Sequence, residues 1–440
     1  MTKASGTREA RVMLLGMNEF NPSMLEKAAR EIGLPNLTKL FDLQRSRTHT
    51  RDTIESDYLE PWVQWVSVHT GEPSSVHGIK HLGDVPDLGR RQIWEVLSEM
   101  GISSGVWGAM NASRRGAEHC QFFVPDPWTF SEESYPPALN DLLAFPRYMA
   151  KNYLNVDKKV FVALALRFAR MLLAPSTAAE LAVELPRVLS ALVKWKGANF
   201  VGYCFSEYLS TLIFLDWCRK HDPRFRMLFV NGIAHLQHYY WKDQEYALNP
   251  EFRYGLRYAD KLVGKVLEAV EPGDVLVVMN GLSQVRQDRP FAAYRQYDHR
   301  AFLAAAGIPC ERVEALMTHD AHLMFASSVE RESARRILEG ATVDGQPLFF
   351  VESNPHDETR LFYKIKYSGV AAGEAKLGIN GRELRFADHF LFCAFQSGKH
   401  SPDGVVLCNQ PLFPAELPNH EVFQHLVGYF KEELAGRRAA

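Results

Sequence analysis

Short apolar runs alternate along this chain with longer stretches of helical period. Residues 11–17, Arg-Val-Met-Leu-Leu-Gly-Met, are almost wholly apolar and too few for a helix, which predicts a buried strand. Ser23 and Glu26 have the spacing of a capping box. Leu25, Ala28 and Ala29 fit one helical face, and Gly33 stands where such a helix would end. A strand, a loop and a helix in this order put Asn18 and Glu19 at the carboxyl end of a strand, where open α/β sheets keep their ligands. The unit returns. A helix over 92–100 precedes a strand at 105–108, and a strand over 225–230 leads into Asn231. A helix over 253–270 closes at Glu271-Pro-Gly-Asp274 and is followed by a strand over 275–279. The pattern predicts an α/β fold: a mostly parallel central sheet with helices on both faces.

Two regions break the rhythm. Residues 136–199 are helical in period and rich in Leu and Ala, which predicts a helical cap insertion. Residues 310–395 are mixed, with strand candidates at 346–351 and 360–367. The expected division is a core of 1–135 and 200–440, with a small mixed insertion at 310–395 and the cap at 136–199. An amphipathic helix is expected over 421–433.

Composition narrows the function. The 440 residues are 46% hydrophobic and 23% charged, with a formal net charge of −2, so no basic excess exists to neutralise a phosphate backbone. Nucleic acid is therefore not an expected partner. The apolar run at 12–15 is too short for a signal-peptide core or a membrane span, so a cytoplasmic protein without a membrane partner is expected. Six scattered cysteines form no Cys-x-x-Cys pair and are expected to be reduced and mostly buried. The chain has no Walker loop, no GxGxxG after a strand and no GxSxG.

Several local patterns, taken in order, carry a resemblance. They are Gly16-Met-Asn-Glu19, Pro35-Asn36-Leu37, the block from Trp65 through Thr70-Gly71 to His77-Gly78-Ile79, Ile93-Trp94, Asn231 to His235, Asn280-Gly281, and Gly398-Lys-His400-Ser-Pro402-Asp-Gly404. The set resembles the alkaline phosphatase superfamily, in particular its type I phosphodiesterase/nucleotide pyrophosphatase branch. The resemblance implies an alkaline phosphatase-like core, a pair of divalent metals and a Thr or Ser nucleophile. Carried over, one metal site would be Asn18, Asn280 and Gly281, where Asp, Asp and His are expected. The other would be Asn231, His235 and His400, where Asp, His and His are expected. The nucleophile's place falls on Pro61, between Glu60 and Trp62, and proline has no side-chain nucleophile.

Charge decides what these departures mean. Two dications about 4 Å apart repel by roughly 17 kcal/mol at an effective dielectric near 20. Neutral amides offset little of that, and hard cations prefer anionic oxygen. A two-metal cluster is expected to be absent. A single Zn or Mn remains a candidate on His235 and His400, with Asn231, His238 or Glu19 as the third donor. Glu19 and Glu60 are the carboxylates beside the vacated positions, and with His235 or His400 they form a candidate acid/base pair. His69, His238 and Trp241 are candidate substrate contacts. Thr318-His319-Asp320-Ala-His322 lies outside the matched segments and reads as a surface or interface feature. Two readings follow. One is an enzyme acting on a phosphorylated, sulfated or nucleotide-linked small molecule with one metal or none. The other is an inactive binding or structural member that keeps the pocket.

Overall fold

The computed structural model describes residues 9–53, 58–152, 156–173, 175–196, 199–316 and 319–439. By packing, the chain forms two units. The first comprises 1–146, 159–286 and 398–440, and the second comprises 147–158 and 287–397.

The first unit is built on eight strands: β1 (Val12–Met17), β2 (Gln44–His49), β3 (Ser104–Ala109), β4 (Cys120–Pro125), β5 (Phe225–Val230), β6 (Val275–Met279), β7 (Asp403–Cys408) and β8 (Glu416–Pro418). Their order across the sheet is β8-β2-β7-β6-β1-β5-β3-β4. β1 runs parallel to both β5 and β6, β5 to β3, and β3 to β4. β7 alone runs antiparallel to both its neighbours. Every residue of β1, β5 and β6 is buried, the signature of strands covered on two faces. The expected fold class is the one observed.

The helices of this unit are α1 (Pro22–Ile32), α2 (Pro61–Thr70), α3 (Ile93–Glu99), α4 (Lys158–Leu172), α5 (Pro175–Lys194), α6 (Asn199–His221), α7 (Gly232–Tyr240), α8 (Pro250–Ala269) and α9 (Val422–Ala439). Gln92 and Glu95 form the capping box of α3. On α1 the expected box at Ser23 is not used. Asn21 is the N-cap and accepts from the Met24 N–H, with Pro22 in the first turn. Proline lacks an N–H and its φ is already helical, so the start of the helix is fixed two residues earlier. Leu25, Ala28 and Ala29 face the core as expected, and Gly33 closes the helix at φ 75°. Leu142, Leu143, Val188 and Ala191 join the main core of this unit. The packing division therefore differs from the expected cap: within 136–199, only 147–158 falls outside the first unit.

The second unit has its own core, around Tyr294, Phe302, Leu323, Phe349, Tyr363 and Phe390. An antiparallel sheet runs in the order Phe349–Ser353, Arg360–Ile365, Asp320–Met324, Arg312–Ala315; it takes in most of the strand candidate at 360–367 and the second half of that at 346–351, whose first two residues pair in a separate sheet. It corrects the surface reading of the 318–322 segment. His322 is 1% exposed and stacks near Phe362, because it lies on an inner strand of that sheet; Thr318 lies outside the described residues. Among the cysteines, Cys120, Cys204, Cys218 and Cys408 are buried, Cys310 is half-buried and Cys393 exposed, all as free thiols. No helix of the described residues is long and apolar enough to cross a membrane.

Candidate functional site

The carboxyl ends of β1, β5 and β6 bring Asn18, Glu19, Asn231 and Asn280 together. The Asn18 N–H donates to the Val230 carbonyl and the Glu19 N–H to the Asn280 carbonyl, so the turn after β1 is tied to both neighbouring strands. Glu19 itself sits at φ 55°, in the left-handed region that a non-glycine residue rarely adopts. The cost is of order 1–3 kcal/mol, and the two ties hold the conformation.

Three side chains from three segments meet at this turn: Glu19 after β1, His238 on α7 and His400 just before β7. Their ligand atoms all lie within 4.8 Å of one another. The Glu19 Oε2 is 3.0 Å from His400 Nε2 and 3.2 Å from His238 Nε2. It also accepts from Gln284 Nε2 at 2.6 Å, while Oε1 accepts from Asn18 Nδ2 at 2.7 Å. Behind His400, Nδ1 lies 3.3 Å from Glu60 Oε2. Glu19 is 2% exposed. Burial works against its charge, but His400 and His238 outweigh burial and hold its carboxyl well below the usual range. For His400 the balance is similar. Burial would depress the imidazole, yet Glu19 and then Glu60 raise it to about 9. Glu19 and His400 thus form a buried ion pair, with Glu60 partly solvated beside it.

The amides of Asn18, Asn231 and Asn280 bond to one another and to the frame. Trp65 Nε1 donates to Asn18 Oδ1 at 2.7 Å. An indole nitrogen can only donate, so the Asn18 oxygen must face it and the Asn18 amino group must face away. That amino group donates to Glu19 and, at 2.7 Å, to Asn231 Oδ1. Asn280 Oδ1 accepts the Val405 N–H, and Nδ2 donates to the Phe20 carbonyl. Trp65 also explains Gly281. That glycine has φ 72°, and a Cβ there would meet the indole at 3.0 Å. The place of an expected histidine is thus taken by the edge of a tryptophan.

Several sequence candidates lie elsewhere. His235 is three residues from His238 on α7 but stacks on Tyr203, with ring centroids 5.3 Å apart, and on Tyr239. It is not part of the triad, and neither is Asn231, whose side chain is engaged with Asn18. His69, on the all-round buried helix α2, is 1% exposed between Trp65 and Trp94 and faces no open site. Trp241 is buried in the main core, away from a substrate-contact role. Two residues escaped the sequence reading. Gln284 holds Glu19. Glu207 on α6 accepts the N–H groups of Asn231 and Gly232 at the start of α7, and burial raises its carboxyl to about 7. A lone carboxylate in the apolar run of α6 was the available signal for Glu207.

No family model matches the chain, and no curated protein matches it. Solved structures do. Phosphonoacetate hydrolase from Sinorhizobium meliloti 1021, in complex with phosphonoacetate, is 14% identical at a TM-score of 0.48, over 95% of each chain. An inactive variant of murine ectonucleotide pyrophosphatase/phosphodiesterase 5, in complex with AMP, is 10% identical at 0.48, over 96% of this chain and 94% of that one. The human protein of the same name is 10% identical at 0.46, over 96% and 95%. Likeness at this level assigns no activity and no substrate to this chain.

Proposed function

We propose that this protein is a diverged hydrolase that acts on a phosphorylated, sulfated or nucleotide-linked small molecule through one divalent metal, zinc or manganese. The observation that carries the reading is the convergence of Glu19, His238 and His400 within 4.8 Å. Two imidazoles and a carboxylate are the donor set of open catalytic sites, which keep a position for water or substrate. A metal bound there would supply Lewis acidity and an activated water. The chain's own residues prepare the ligands. Glu60 faces His400 Nδ1, which leaves Nε2 directed toward Glu19. Gln284 and Asn18 fix the carboxylate of Glu19 from both oxygens. The site suits one ion rather than two. The direct Asn18–Asn231 bond links two of the positions at which a metal pair would need carboxylates, and those amides are neutral.

A second reading, a binding protein without hydrolysis, is favoured by one observation. Pro61 opens α2 at the place of the family nucleophile and offers no hydroxyl.

Calorimetric titration with Zn²⁺ and Mn²⁺, paired with turnover of aryl phosphodiesters, phosphomonoesters and sulfates with and without EDTA, tests both. We expect one ion per chain, loss of saturable binding in Glu19→Gln, and about 10–100-fold weaker binding in Glu60→Gln. EDTA-sensitive turnover supports the hydrolase. One-ion binding without turnover, together with thermal stabilisation by a nucleotide, supports the binder. Two ions per chain, or none, overturns the metal assignment.

A further inference from the structure

The outer faces of α4 and α5 combine two properties that surface helices seldom share. Each exposes large apolar side chains along its length: Val162, Leu166 and Leu173 on or just after α4, and Val183, Leu189 and Val193 on α5, with Leu166 59% and Val193 82% exposed. Singly such residues are ordinary, but spacings of four and seven from Val162 through Leu166 to Leu173, and of four from Leu189 to Val193, set them along one helical face. The charge on these faces is predominantly basic. α4 contains no acidic residue at all. α5 contains two, one buried and one partly exposed, and both are engaged by neighbouring helices. Glu184, 2% exposed, accepts from Tyr258 and Lys261 on α8, and Glu180 accepts from Tyr208 on α6 and pairs with Lys265. Among the described residues of both helices, the fully exposed charged side chains are basic, Lys158, Lys159, Arg170 and Lys194 among them, while Arg167 is paired with Asp141 and Arg187 with Glu184. The inner faces are satisfied by packing: Phe161 and Phe168 of α4 stack against Phe145, and Val188 and Ala191 of α5 lie in the main core.

We infer that α4 and α5 form a docking surface for an anionic lipid bilayer. Apolar stripes flanked by Lys and Arg lie in the boundary between headgroups and acyl chains, with the cations on lipid phosphates. Charge selects this occupant over a second copy of the chain, since pairing two such faces would bring cation against cation. The surface holds the protein on the bilayer without crossing it. It departs from the sequence expectation of no membrane partner. It does not depend on the metal assignment, because none of these residues belongs to the site.

Flotation of the full chain with vesicles is the test, using phosphatidylcholine alone and phosphatidylcholine mixed with phosphatidylglycerol. The chain should float with the mixed vesicles and not with the neutral ones, and high salt should release it. Leu166→Glu and Leu189→Glu should each weaken partitioning about tenfold. Both positions are exposed, so thermal melting should stay unchanged and separate lost binding from lost folding. Failure to float with anionic vesicles, or equal flotation of the double variant, would overturn the inference. So would a concentration-dependent dimer in sedimentation velocity that the same two substitutions dissolve, which would assign the faces to self-association.

Discussion

At the scale of single residues, the site is governed by which end of each amide points where. Asn280 accepts from the Val405 N–H and donates to the Phe20 carbonyl, so both of its ends are committed to backbone. Asn280→Asp would turn the donating end into a second acceptor facing a carbonyl, and would leave that buried carbonyl unpaired. We expect a loss of about 1–3 kcal/mol, read as a lower urea midpoint at unchanged slope. A midpoint equal to wild type would mean the amide is not needed as a donor. The sequence revealed the neutral amides at 18, 231 and 280. It could not reveal that Asn18 bonds Asn231, because the partners are 213 positions apart. The choice between His235 and His238 was equally out of reach. Three residues on a helix differ by about 60° around its axis, and only packing sets which of them faces Glu19.

At the scale of elements, local signals were legible and all-round burial was not. The apolar run of β1 is contained in a few consecutive residues and read correctly, whereas the capping box was read at Ser23, where it is not used, and missed at Gln92, where it is. α2 is buried on every side, so its apolar positions carry no period, and the sequence offered no sign that His69 would be enclosed rather than open to a substrate. Glu207 shows how one helix starts another. Its carboxylate accepts two N–H groups at the start of α7, but burial lifts its pKa from about 4.5 to about 7. The folded state therefore holds this proton more tightly than the unfolded chain. The associated stability is present below about pH 4.5 and is lost as pH rises through 7. Glu207→Gln keeps an acceptor and never ionises. We expect it to be more stable than wild type at pH 8, by about 1–3 kcal/mol, and to converge with it near pH 4.5. Chemical denaturation at the two pH values reads the difference, and identical curves at pH 8 would contradict it.

At the scale of the whole molecule, both units carry buried neutral histidines. Burial pushes His69 down to about 3 and His77 to about 4 in the first unit, and His299 and His319 to about 4 in the second. Each takes up a proton near its ordinary value of 6.5 only when unfolded. Stability is therefore full above about pH 6.5 and is lost as pH falls toward 4, by up to about 1.4 kcal/mol per pH unit for each group. Glu207 works in the opposite direction and offsets part of this. Calorimetry at pH 7 and pH 5 should show unfolding at lower temperature in acid, and His69→Leu should reduce the shift. An unshifted transition would mean these imidazoles are solvated. The boundaries of the units were the least legible feature, since apolar period marks helices but not which core they join.

The chain leaves the first unit after Arg286 and re-enters it at Gly398. Gln284, which steadies Glu19, stands just before the exit, and His400 just after the return. The larger segment of the second unit, 287–397, thus lies in the chain between two members of the polar centre. Gln284 stands two residues before the first crossing and His400 two residues after the second, so an insertion or truncation placed at either crossing falls within a single turn of chain of a residue that holds Glu19.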